Sequence, residues 1–415
     1  MQLVRSEFVR AAGLGAALFV TGWPAEAQVA EVDTVHSVFY EAPTRTHMLV
    51  YTPSVDVQAT PWSWLEVRGG WEADVVSGAS VATKFGSAYG ATHPVDVVST
   101  ASVHDFRNLA RGEATLKGET TSLTAGYAYS TERDYRSDAL HVSAQTDAFQ
   151  HNTQFALSYA RNFDRVCDRV QGETSAVRWV ALENSTGCFT SDTGRTTRSI
   201  DIDTFEASWA QSWTPVFATQ LTYSAQLLEG FQADPYRSIV LGEGLKAQEY
   251  EPAERARESV TARAALYLRG IKGALRISLR GYSDTWAIRS GTIEAEFEKS
   301  FGESWRLMAR GRGYKQTGAI FWSDDYTGGV PPLGPRGQYW TGDRELSPFW
   351  SWLAGLRSVW TIEPADARLF GVVRRLKFIA SASVTSFSYD EYTLGGIPVT
   401  DARAYFGTLS LTGSF

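Results

Sequence analysis

Alternating apolar and polar residues run through most of the chain after residue 34, a pattern that predicts β-strands with one apolar and one polar face. In the segment SLTAGYAYS, the apolar residues Leu123, Tyr127 and Tyr129 share one face. Residues 154–163 and 217–227 repeat the pattern. These strands have about 10 to 13 residues, whereas soluble strands average about half that length and a tilted strand across a bilayer needs about 9 to 11.

The connections between the predicted strands are alternately short turns and long polar loops. The short turns are at about 60–64, 118–122, 150–152, 213–216, 270–273 and 301–304. The long loops are at about 77–106, 164–199, 229–257, 321–349 and 390–403, with shorter ones near 131–137 and 284–290. Outer-membrane barrels have this arrangement, with tight periplasmic turns at one rim and longer extracellular loops at the other.

Together these segments predict an all-β fold, an antiparallel up-and-down transmembrane β-barrel of about 16 strands. The strands are expected at about 34–43, 46–60, 65–76, 107–118, 120–131, 138–149, 152–163, 200–213, 216–228, 258–270, 274–285, 289–300, 304–318, 350–362, 374–388 and 404–415. An even number of strands leaves both chain ends on the periplasmic side. A soluble β-sandwich or propeller is the alternative, but it explains neither the strand length nor the alternation of short and long connections.

The last predicted strand, YFGTLSLTGSF, ends on an aromatic residue. Tyr405, Leu409, Leu411 and Phe415 lie on its apolar face. In a closed barrel this strand must pair with the first one, because each unpaired backbone group in hydrocarbon costs several kcal/mol. A terminal aromatic residue on the lipid-facing side also resembles the targeting signal of bacterial outer-membrane barrels, so we expect Phe415 to serve in outer-membrane targeting.

The first residues have the features of a secretory signal peptide. Arg5 and Arg10 precede a short apolar region, and the small residues Ala25 and Ala27 suit a signal peptidase. We expect residues 1–27 to be the signal peptide and residues 28–415 to form a barrel in the outer membrane of a Gram-negative bacterium. A short buried helix of a cytoplasmic protein is the alternative for this segment.

Composition narrows the class of protein further. Outside the first residues no stretch approaches the roughly 20 apolar residues of a membrane-spanning helix, and the mean hydropathy is −0.21. Aromatic residues make up 13% of the chain, a content that suits a membrane interface. The net charge of −7 argues against a nucleic-acid partner, which requires a basic surface. The expected partners are outer-membrane lipid and, during insertion, the barrel-assembly machinery; the oligomeric state stays open.

Three stretches resemble a family of bacterial outer-membrane barrels that is known only as a domain of unknown function. They are DVVSGAS (Asp74 to Ser80), YSTERDYRS (Tyr129 to Ser137), and DPYR (Asp234 to Arg237) followed by EPAERAR (Glu251 to Arg257). The resemblance implies a barrel in the outer membrane, but no activity and no catalytic residues. The stretches fall at predicted extracellular strand ends, where a role in loop geometry that protects the barrel mouth is expected and a binding site is the alternative.

The only two cysteines of the chain, Cys167 and Cys188, flank a polar segment. An exported protein meets an oxidising compartment, so we expect these cysteines to form a disulfide. Closing a loop of this length stabilises a protein by roughly 3 kcal/mol in the chain-entropy model. The chain has no CxxC motif and no Cys/His cluster, so neither a metal site nor a cofactor is predicted.

His141 and Ser143 form an H-x-S pair followed by Asn152, a spacing similar to the active site of outer-membrane acyl hydrolases. A serine nucleophile needs an adjacent histidine base and a third group that orients it. Leu140 and Val142 belong to the lipid-facing set of this strand, which turns His141 and Ser143 toward the lumen. An enzyme that hydrolyses lipids of its own membrane must present them outward. We therefore predict no enzymatic activity and retain the hydrolase as a remote alternative.

Charged residues on the polar faces of the strands are predicted to line the lumen. The N-terminal third contributes a mainly acidic set: Asp56, Glu66, Glu72, Asp74, Glu113 and Asp147, with Arg68 and Lys117. Strands ten, eleven and thirteen contribute a basic set: Arg263, Arg269, Arg276, Arg280, Arg306, Arg310 and Arg312, with Glu294, Glu296 and Glu298 on the strand between. Strand n faces strand n+8 in a closed barrel of about 16 strands, so acid is expected to face base across the bore.

The charge pattern favours a passive pore for small hydrophilic solutes. Cross-strand ion pairs of about 0.2 to 1 kcal/mol account for part of it. Seven arginines against three glutamates nevertheless leave positive charge that only a hydrated lumen tolerates. Barrels of 16 to 18 strands do enclose an aqueous channel. The alternative is a non-conducting binding or scaffold barrel, with a plugged lumen and with loops or a periplasmic rim that engage partners.

Overall fold

Sixteen antiparallel strands form one closed barrel, in which each strand pairs with its neighbours along the chain and the last pairs with the first. The computed structural model describes residues 30–42, 48–77, 81–84, 96–99, 104–170, 188–189, 195–235, 238–241, 245–324, 326, 338–364, 368–369, 371–394, 397–398 and 402–415. The prediction of an all-β, up-and-down barrel of about 16 strands is therefore confirmed. The expected signal peptide, residues 1–27, lies outside the described residues.

The barrel strands are numbered in chain order. They are β1 (Ala30–Ala42), β2 (Met48–Trp62), β3 (Leu65–Ser77), β4 (His104–Lys117), β5 (Thr121–Thr131), β6 (Tyr135–Ala148), β7 (Thr153–Val170), β8 (Arg195–Thr214), β9 (Phe217–Gly230), β10 (Glu254–Leu268), β11 (Gly273–Asp284), β12 (Arg289–Phe301), β13 (Trp305–Gln316), β14 (Phe349–Ile362), β15 (Arg375–Tyr389) and β16 (Ala402–Ser414). Outside the barrel wall, short hairpins pair Val81–Lys84 with Asp96–Ser99, Ser238–Leu241 with Leu245–Gln248, and Thr393–Leu394 with Ile397–Pro398.

The barrel closes between β1 and β16, which pair from Glu31 with Ser414 to Ala42 with Arg403. Phe415 extends this seam, because its backbone N–H donates to the carbonyl of Ala30 at 2.9 Å. Side chains add to it, since the hydroxyls of Ser410 and Thr412 both donate to Asp33 Oδ1 at 2.9 Å. The expected closure of the barrel by the last strand is thus confirmed.

The two ends of the barrel differ in their connections. One end, which we call the turn end, carries both ends of the described chain and the connections 63–64, 118–120, 149–152, 215–216, 269–272, 302–304 and 363–374. The other, the loop end, carries the connections 43–47, 78–103, 132–134, 171–194, 231–253, 285–288, 317–348 and 390–401. β7 and β8 run further toward the loop end than their sequences suggest, since Arg165 and Asp164 still pair with Ser199 and Ile200 in the ladder.

Side chains alternate between an apolar outer face and a polar inner face, as period-two strands in a barrel require. On β14, Trp350, Leu356 and Trp360 point outward and are 44%, 59% and 56% exposed. Trp350 and Trp360 are ten residues apart, about 33 Å along an extended strand, which a tilt of about 40° reduces to roughly 25 Å along the barrel axis. Further exposed aromatic residues of the outer face include some toward the turn end (Trp62, Trp213, Phe217, Phe301, Trp305), some toward the loop end (Tyr40, Phe106, Trp352, Tyr405) and some at mid-height (Tyr127, Phe205, Tyr223).

No helix within the described ranges is long and apolar enough to cross a membrane. The only helical elements there are two single 3₁₀ turns, Arg269–Ile271 and Arg344–Leu346.

Candidate functional site

The inner faces of β2, β3 and β4 carry acidic and basic side chains that pair with one another. Asp56 of β2 accepts hydrogen bonds from the Arg111 guanidinium of β4 at 2.6 and 3.1 Å. This pair reaches across β3 because Gly70, which lies between the two residues in the register, has no side chain. A Cβ at Gly70 would lie 2.4 Å from Asp56 Oδ1 and 2.7 Å from Arg111 Nε.

Two further ion-paired groups complete this side of the lumen. Arg107 Nη2 lies 2.8 Å from Glu72 Oε1 and 2.6 Å from Asp74 Oδ2. Lys117 donates to Glu66. Arg68 of β3 also lies 3.5 Å from Asp56 Oδ1, and the other basic partners come from β4, whose two arginines do not figure in the sequence prediction. Most of the acidic side chains on this side of the lumen are therefore ion-paired.

Arginines outnumber acids on the inner faces of β10 to β13. Toward the turn end Arg276 and Arg306 are ion-paired, whereas Arg310 has no ion pair within the described residues: Arg276 Nη1 lies 3.6 Å from Glu298 Oε2 and 3.9 Å from Glu296 Oε2. Arg306 Nη1 lies 3.6 Å from Glu298 Oε1. The glutamates of β12 thus neutralise their neighbours on β11 and β13 at this level of the barrel, as expected for cross-strand pairs.

Four arginines closer to the loop end have no acidic hydrogen-bond or ion-pair partner among the described residues. Arg257, Arg263 and Arg280 donate only to neutral groups, namely Gln226 Oε1 at 3.0 Å, Gln220 Oε1 at 3.4 Å and Ser259 Oγ at 3.2 Å. Arg312 forms no hydrogen bond and no ion pair with the part of the chain that the structure describes. We call these four residues the arginine cluster. In the register Arg263 and Arg312 share one level through Ser278 and Glu294, Arg280 lies on the next level with Thr261, and Arg257 lies two levels further toward the loop end.

Three cavities follow the wall from β8 to β14. The loop-end cavity has a volume of about 630 Å³ and is lined by Arg255, Arg257 and Arg280 together with tyrosines and hydroxyl residues. The mid-barrel cavity, of about 470 Å³, is lined by Arg263, Arg280 and Arg312, and by a single carboxylate, Glu294. Arg280, Thr292 and Tyr314 line both, so the two cavities adjoin.

The third cavity, at the turn end, has a volume of about 690 Å³. Its inner lining includes Ala265, Ala274 and Arg276. Arg276 lies two residues from Ser278, which lines the mid-barrel cavity. The turn-end cavity shares no lining residue with the mid-barrel cavity, and it is also lined by Trp213 and Phe217 of the outer face.

The side of the loop-end cavity opposite the arginines is apolar. Val166, Ile200, Ile202 and Leu228 line it from the inner faces of β7, β8 and β9, and Phe231 follows directly after β9. Their sequence positions put them on the face that is polar elsewhere in these strands. The cavity therefore combines an apolar side with a charged side, on which the three arginines lie together with the carboxylates of Asp234, Glu251, Asp343 and Glu345.

Residues 338–348, which we call the mouth segment, cross the loop end of the barrel. Arg344 Nη1 lies 2.6 Å from Glu41 Oε1 of β1. Trp340 exchanges two backbone hydrogen bonds with Tyr250 of the β9–β10 connection, at 2.9 and 3.0 Å. Gln316 of β13 donates to the carbonyl of Ser347 at 2.7 Å. The mouth segment is thus attached to strands and connections around about half of the rim.

A buried aromatic cluster holds the mouth segment in place. Leu346 packs in it with Trp286, Phe321, Trp322 and Tyr389, and Trp322 is 1% exposed. Burial of an aromatic side chain contributes on the order of 2 to 3 kcal/mol. This cluster lies at the rim beside β11 to β15, whereas the loop-end cavity lies beside β6 to β13.

The stretches that resemble the uncharacterised family meet at the loop-end cavity. Tyr135 of the second stretch, Asp234 of the third, and Glu251 and Arg255 of its continuation all line it. Some of these residues also have structural partners: Tyr135 donates to Asp164, and Arg255 Nη2 lies 2.5 Å from Asp284 Oδ2. The end of the first stretch, residues 78–80, falls outside the described residues, as does Arg237.

The other charged residues that the sequence predicts to line the lumen do not all lie on its wall. Arg269 lies in the 3₁₀ turn between β10 and β11 rather than on the lumen wall, because the β10 ladder ends at Leu268. Asp147 is at the turn end, where it accepts a hydrogen bond from Gln154 at 3.0 Å. Glu113 and Arg310 face the lumen by their register with Gly126 and Glu296.

His141 and Ser143 face the lumen beside β5, and a Cβ at Gly126 would lie 2.1 Å from His141 Cε1. Asn152 belongs to the turn after β6, where its side chain donates to the carbonyl of Phe149 at 3.0 Å. Ser143 is five residues from the end of β6, which places that turn roughly 16 Å further along the strand. The three residues of the considered hydrolase site are therefore not brought together.

Cys167 and Cys188 are joined by a disulfide, with their Cα atoms 5.8 Å apart. Cys167 lies near the loop end of β7, so the disulfide ties the β7–β8 connection to the rim. No group of three or more potential metal ligands occurs among the residues that the structure describes.

The chain belongs to the family described as "Protein of unknown function (DUF3570)", whose model matches residues 30–367. This match confirms the resemblance to an uncharacterised family. A search of curated proteins finds no match.

Several solved structures have a similar chain path at low sequence identity. A "bacterial polysaccharide outer membrane secretin" is 10% identical, with a TM-score of 0.47 and coverage of 93% of this chain and 98% of that chain. Pseudomonas aeruginosa OccK2 (OpdF) in complex with glucuronate is 8% identical, with a TM-score of 0.42 and coverage of 95% and 100%. Pseudomonas aeruginosa OpdK with vanillate is 9% identical, with a TM-score of 0.43 and the same coverage. Similarities at this level assign no activity to the chain.

Proposed function

We propose that this protein is an outer-membrane β-barrel of a Gram-negative bacterium that lets small hydrophilic solutes pass without catalysis. In this proposal residues 1–27 direct export, Phe415 contributes to recognition by the barrel-assembly machinery, and outer-membrane lipid surrounds the mature barrel. The lumen is lined by the charged residues of β2 to β4 and β10 to β13.

The outer face supports a membrane location. Exposed apolar side chains cover it, and on β14 two tryptophans delimit a height of roughly 25 Å, the height of the apolar band of outer-membrane barrels. Contiguous apolar surface of this extent is not stable in water on a monomeric protein. Aromatic residues near both ends of the barrel fit the two membrane interfaces, where their amphipathic rings are favoured.

The observation that carries the pore proposal is the series of three cavities along the β8 to β14 wall. The mid-barrel cavity is lined largely by charged and hydroxyl side chains, the loop-end cavity by such groups and an apolar side, and the turn-end cavity mostly by apolar and amide side chains together with Arg276. Unpaired guanidinium groups in the middle of the series require hydration, because an isolated charge in an apolar surrounding is strongly disfavoured. A hydrated path along this wall satisfies that requirement.

The mouth segment favours a second candidate, a binding or scaffold barrel that does not conduct. Its attachments to Glu41, Gln316 and Tyr250 cover part of the loop end, and the packed cluster around Trp322 resists displacement. In that case the loops or the turn end engage a partner, and solutes do not cross.

Ion conductance separates the two functions. The purified barrel, reconstituted in planar bilayers, is expected to give discrete conductance steps. Replacing Arg276 and Arg280 by Glu is expected to shift ion selectivity toward cations, because two positive charges of the lumen become negative. Lys315→Glu is the matched control: it reverses a charge on the outer face of β13 and is expected to leave selectivity unchanged. Absence of conductance, or equal effects of the inner and outer reversals, overturns the pore.

A further inference from the structure

The arginines on the two sides of the lumen differ in their hydrogen-bond and ion-pair partners. On the β2 to β4 side, Arg107 and Arg111 are held by carboxylates at 2.6 to 2.8 Å. On the β10 to β13 side, the arginine cluster has only amide and hydroxyl partners, or none in the described part of the chain. The first set is satisfied within the protein, whereas the second keeps donor capacity for a ligand.

Positive charge is in excess at the mid-barrel cavity, whereas four carboxylates, Asp234, Glu251, Asp343 and Glu345, balance the arginines of the loop-end cavity. Arg257 and Arg280 line the loop-end cavity, while Arg263, Arg280 and Arg312 line the mid-barrel cavity. Like charges that line the same cavity repel one another. Glu294 is the one carboxylate among the residues lining the mid-barrel cavity, and no arginine of the described chain lies within ion-pair distance of it. An anion bound between these guanidinium groups relieves the repulsion.

The donor geometry fits a carboxylate. The planar guanidinium presents paired N–H groups that match the two oxygens of a carboxylate, and such charge-assisted bonds are stronger than neutral ones. Thr261, Ser278 and Thr292 supply hydroxyls in the same cavity. Arg263 and Arg280 are inward-facing and yet exposed to water, so a solute reaches them without rearrangement of the wall.

The opposite side of the loop-end cavity indicates what else the ligand carries. Ile200, Ile202 and Leu228 face the arginines across about 630 Å³, a volume within the usual range for small-molecule sites. Inward-facing aliphatic side chains bring no benefit to the passage of ions or sugars. They do stabilise an apolar group, at about 25 cal/mol for each Å² of surface removed from water.

We propose that the mid-barrel cavity binds the carboxylate of small organic anions whose apolar body extends into the adjoining loop-end cavity. Arg280 holds the carboxylate, with Arg263 and Arg312 contributing charge, and the body packs on Ile200, Ile202 and Leu228. This inference rests on the proposed pore, for which it defines the class of solute.

Binding of benzoate to the purified barrel in detergent tests the site, with isothermal titration calorimetry as the measurement. Benzoate is expected to bind, and its neutral isostere benzamide is expected not to. Arg280→Gln combined with Arg312→Gln is expected to weaken benzoate binding by about tenfold or more, the range for loss of hydrogen bonds to a charged group.

Arg357→Gln is the matched control for these substitutions. Arg357 is an inward, exposed arginine of β14 that forms no ion pair within the described residues and lines neither cavity. Its replacement removes one positive charge, as Arg280→Gln alone does, and is expected to change benzoate affinity by less than about twofold. Equal losses for Arg357→Gln and Arg280→Gln would mean that the general charge of the lumen, and not a site, attracts the anion.

The contribution of the apolar side of the loop-end cavity is tested separately, by comparing two anions. Acetate, which lacks the apolar body, is expected to bind more weakly than benzoate, and Ile202→Ser is expected to reduce the difference between the two. If acetate and benzoate bind equally well to the unsubstituted barrel, the apolar side takes no part and the proposal is wrong.

Conductance measured on the same preparation distinguishes failure of this inference from failure of the pore. If the barrel conducts ions but binds benzoate no better than benzamide, the pore proposal stands and the anion site is wrong. If the barrel binds benzoate selectively but does not conduct ions, the anion site stands and the pore proposal is wrong. Selective binding together with benzoate permeation that Arg280→Gln reduces supports both.

Discussion

The guanidinium of Arg344 lies 2.6 Å from the carboxylate of Glu41 and joins the mouth segment to the first strand of the barrel. Three strands, β14, β15 and β16, separate the attachment of this segment at β13 from β1 along the sheet. The ion pair therefore connects two separate points of the rim at the loop end. Burial of Arg344 opposes its charge, but the hydrogen bond to Glu41 and nearby negative groups hold its pKa above the ordinary value, so the guanidinium stays charged throughout the accessible pH range.

Arg344→Gln is expected to loosen the mouth segment without unfolding the barrel, because it leaves Glu41 buried without its cation. Hydrogen exchange at the amides of Ala319 and Leu346, which the folded segment protects, is expected to become faster. Glu41→Gln is expected to have the same effect, and the charge swap Glu41→Arg with Arg344→Glu is expected to restore part of the protection. Unchanged exchange in both single variants would show that the aromatic cluster alone holds the segment.

Asp284→Asn is expected to destabilise the barrel by about 3 to 5 kcal/mol, the usual cost of leaving one partner of a buried ion pair unpaired. Asp284 is fully buried, accepts hydrogen bonds from Arg255 at 2.5 and 3.0 Å, and accepts the backbone N–H of Ile288 at 2.9 Å. The measurement is the denaturant dependence of unfolding. Glu363→Gln, which breaks the exposed pair with Arg375, is the control and is expected to cost at most about 1 kcal/mol.

Leu356→Arg tests whether the outer face lies in lipid. Leu356 is outward-facing and lies between the two tryptophans of β14, so an arginine there is expected to cost about 2 to 4 kcal/mol in lipid vesicles. Leu49→Arg makes the same change near the loop end of β2 and is expected to cost about 0 to 1 kcal/mol. Similar costs at the two depths would contradict a membrane boundary at the tryptophans.

Gly230→Ala is expected to be more destabilising than a left-handed backbone alone explains. Gly230 has φ +127°, and a Cβ there would lie 2.1 Å from the backbone oxygen of Ser199. Gly302, with φ +66°, has open space around it, so Gly302→Ala is expected to cost only the roughly 1 to 2 kcal/mol of that conformation. Urea titration of both variants compares them, and equal costs would exclude the clash with β8.

The disulfide leads to two expectations, one for the number of free thiols and one for the free energy of unfolding. Thiol titration of the unfolded, unreduced protein is expected to find no free cysteine, and reduction is expected to release two. Replacing Cys167 and Cys188 by Ser is expected to cost about 3 kcal/mol in the chain-entropy model for a loop of this length. Free thiols before reduction, or a variant as stable as the oxidised protein, would contradict this expectation.

The predicted strands correspond to the observed ones because a barrel strand has a period of two and its apolar face is set by neighbouring residues in the chain. The same periodicity correctly places Arg276 and Glu296 on one face, since they lie on adjacent strands. The pair of Asp56 and Arg111 was not predictable in this way. It joins two strands that do not touch, across a glycine, and thus depends on the spacing of three strands together.

The extent of β7 and β8 was also beyond a pattern of hydrophobicity. Asp164 and Arg165 are charged, which is typical of a loop, but their backbone groups are paired with the neighbouring strand. Hydrogen bonding in the ladder does not depend on side-chain polarity, so a strand can continue past its apolar part.

From the residue pattern alone follow the number of strands, the closure of the barrel and the direction that each side chain faces, because all three depend on local alternation and on the connections between adjacent strands. The convergence of Tyr135, Asp234, Glu251 and Arg255 on one cavity depended on the three-dimensional structure, as did the absence of acidic partners from the arginine cluster. These features bring together residues that are far apart in the chain. Their distances are set by the curvature of the closed sheet and by the path of the connections over its rim, and neither leaves a periodic signal in the sequence.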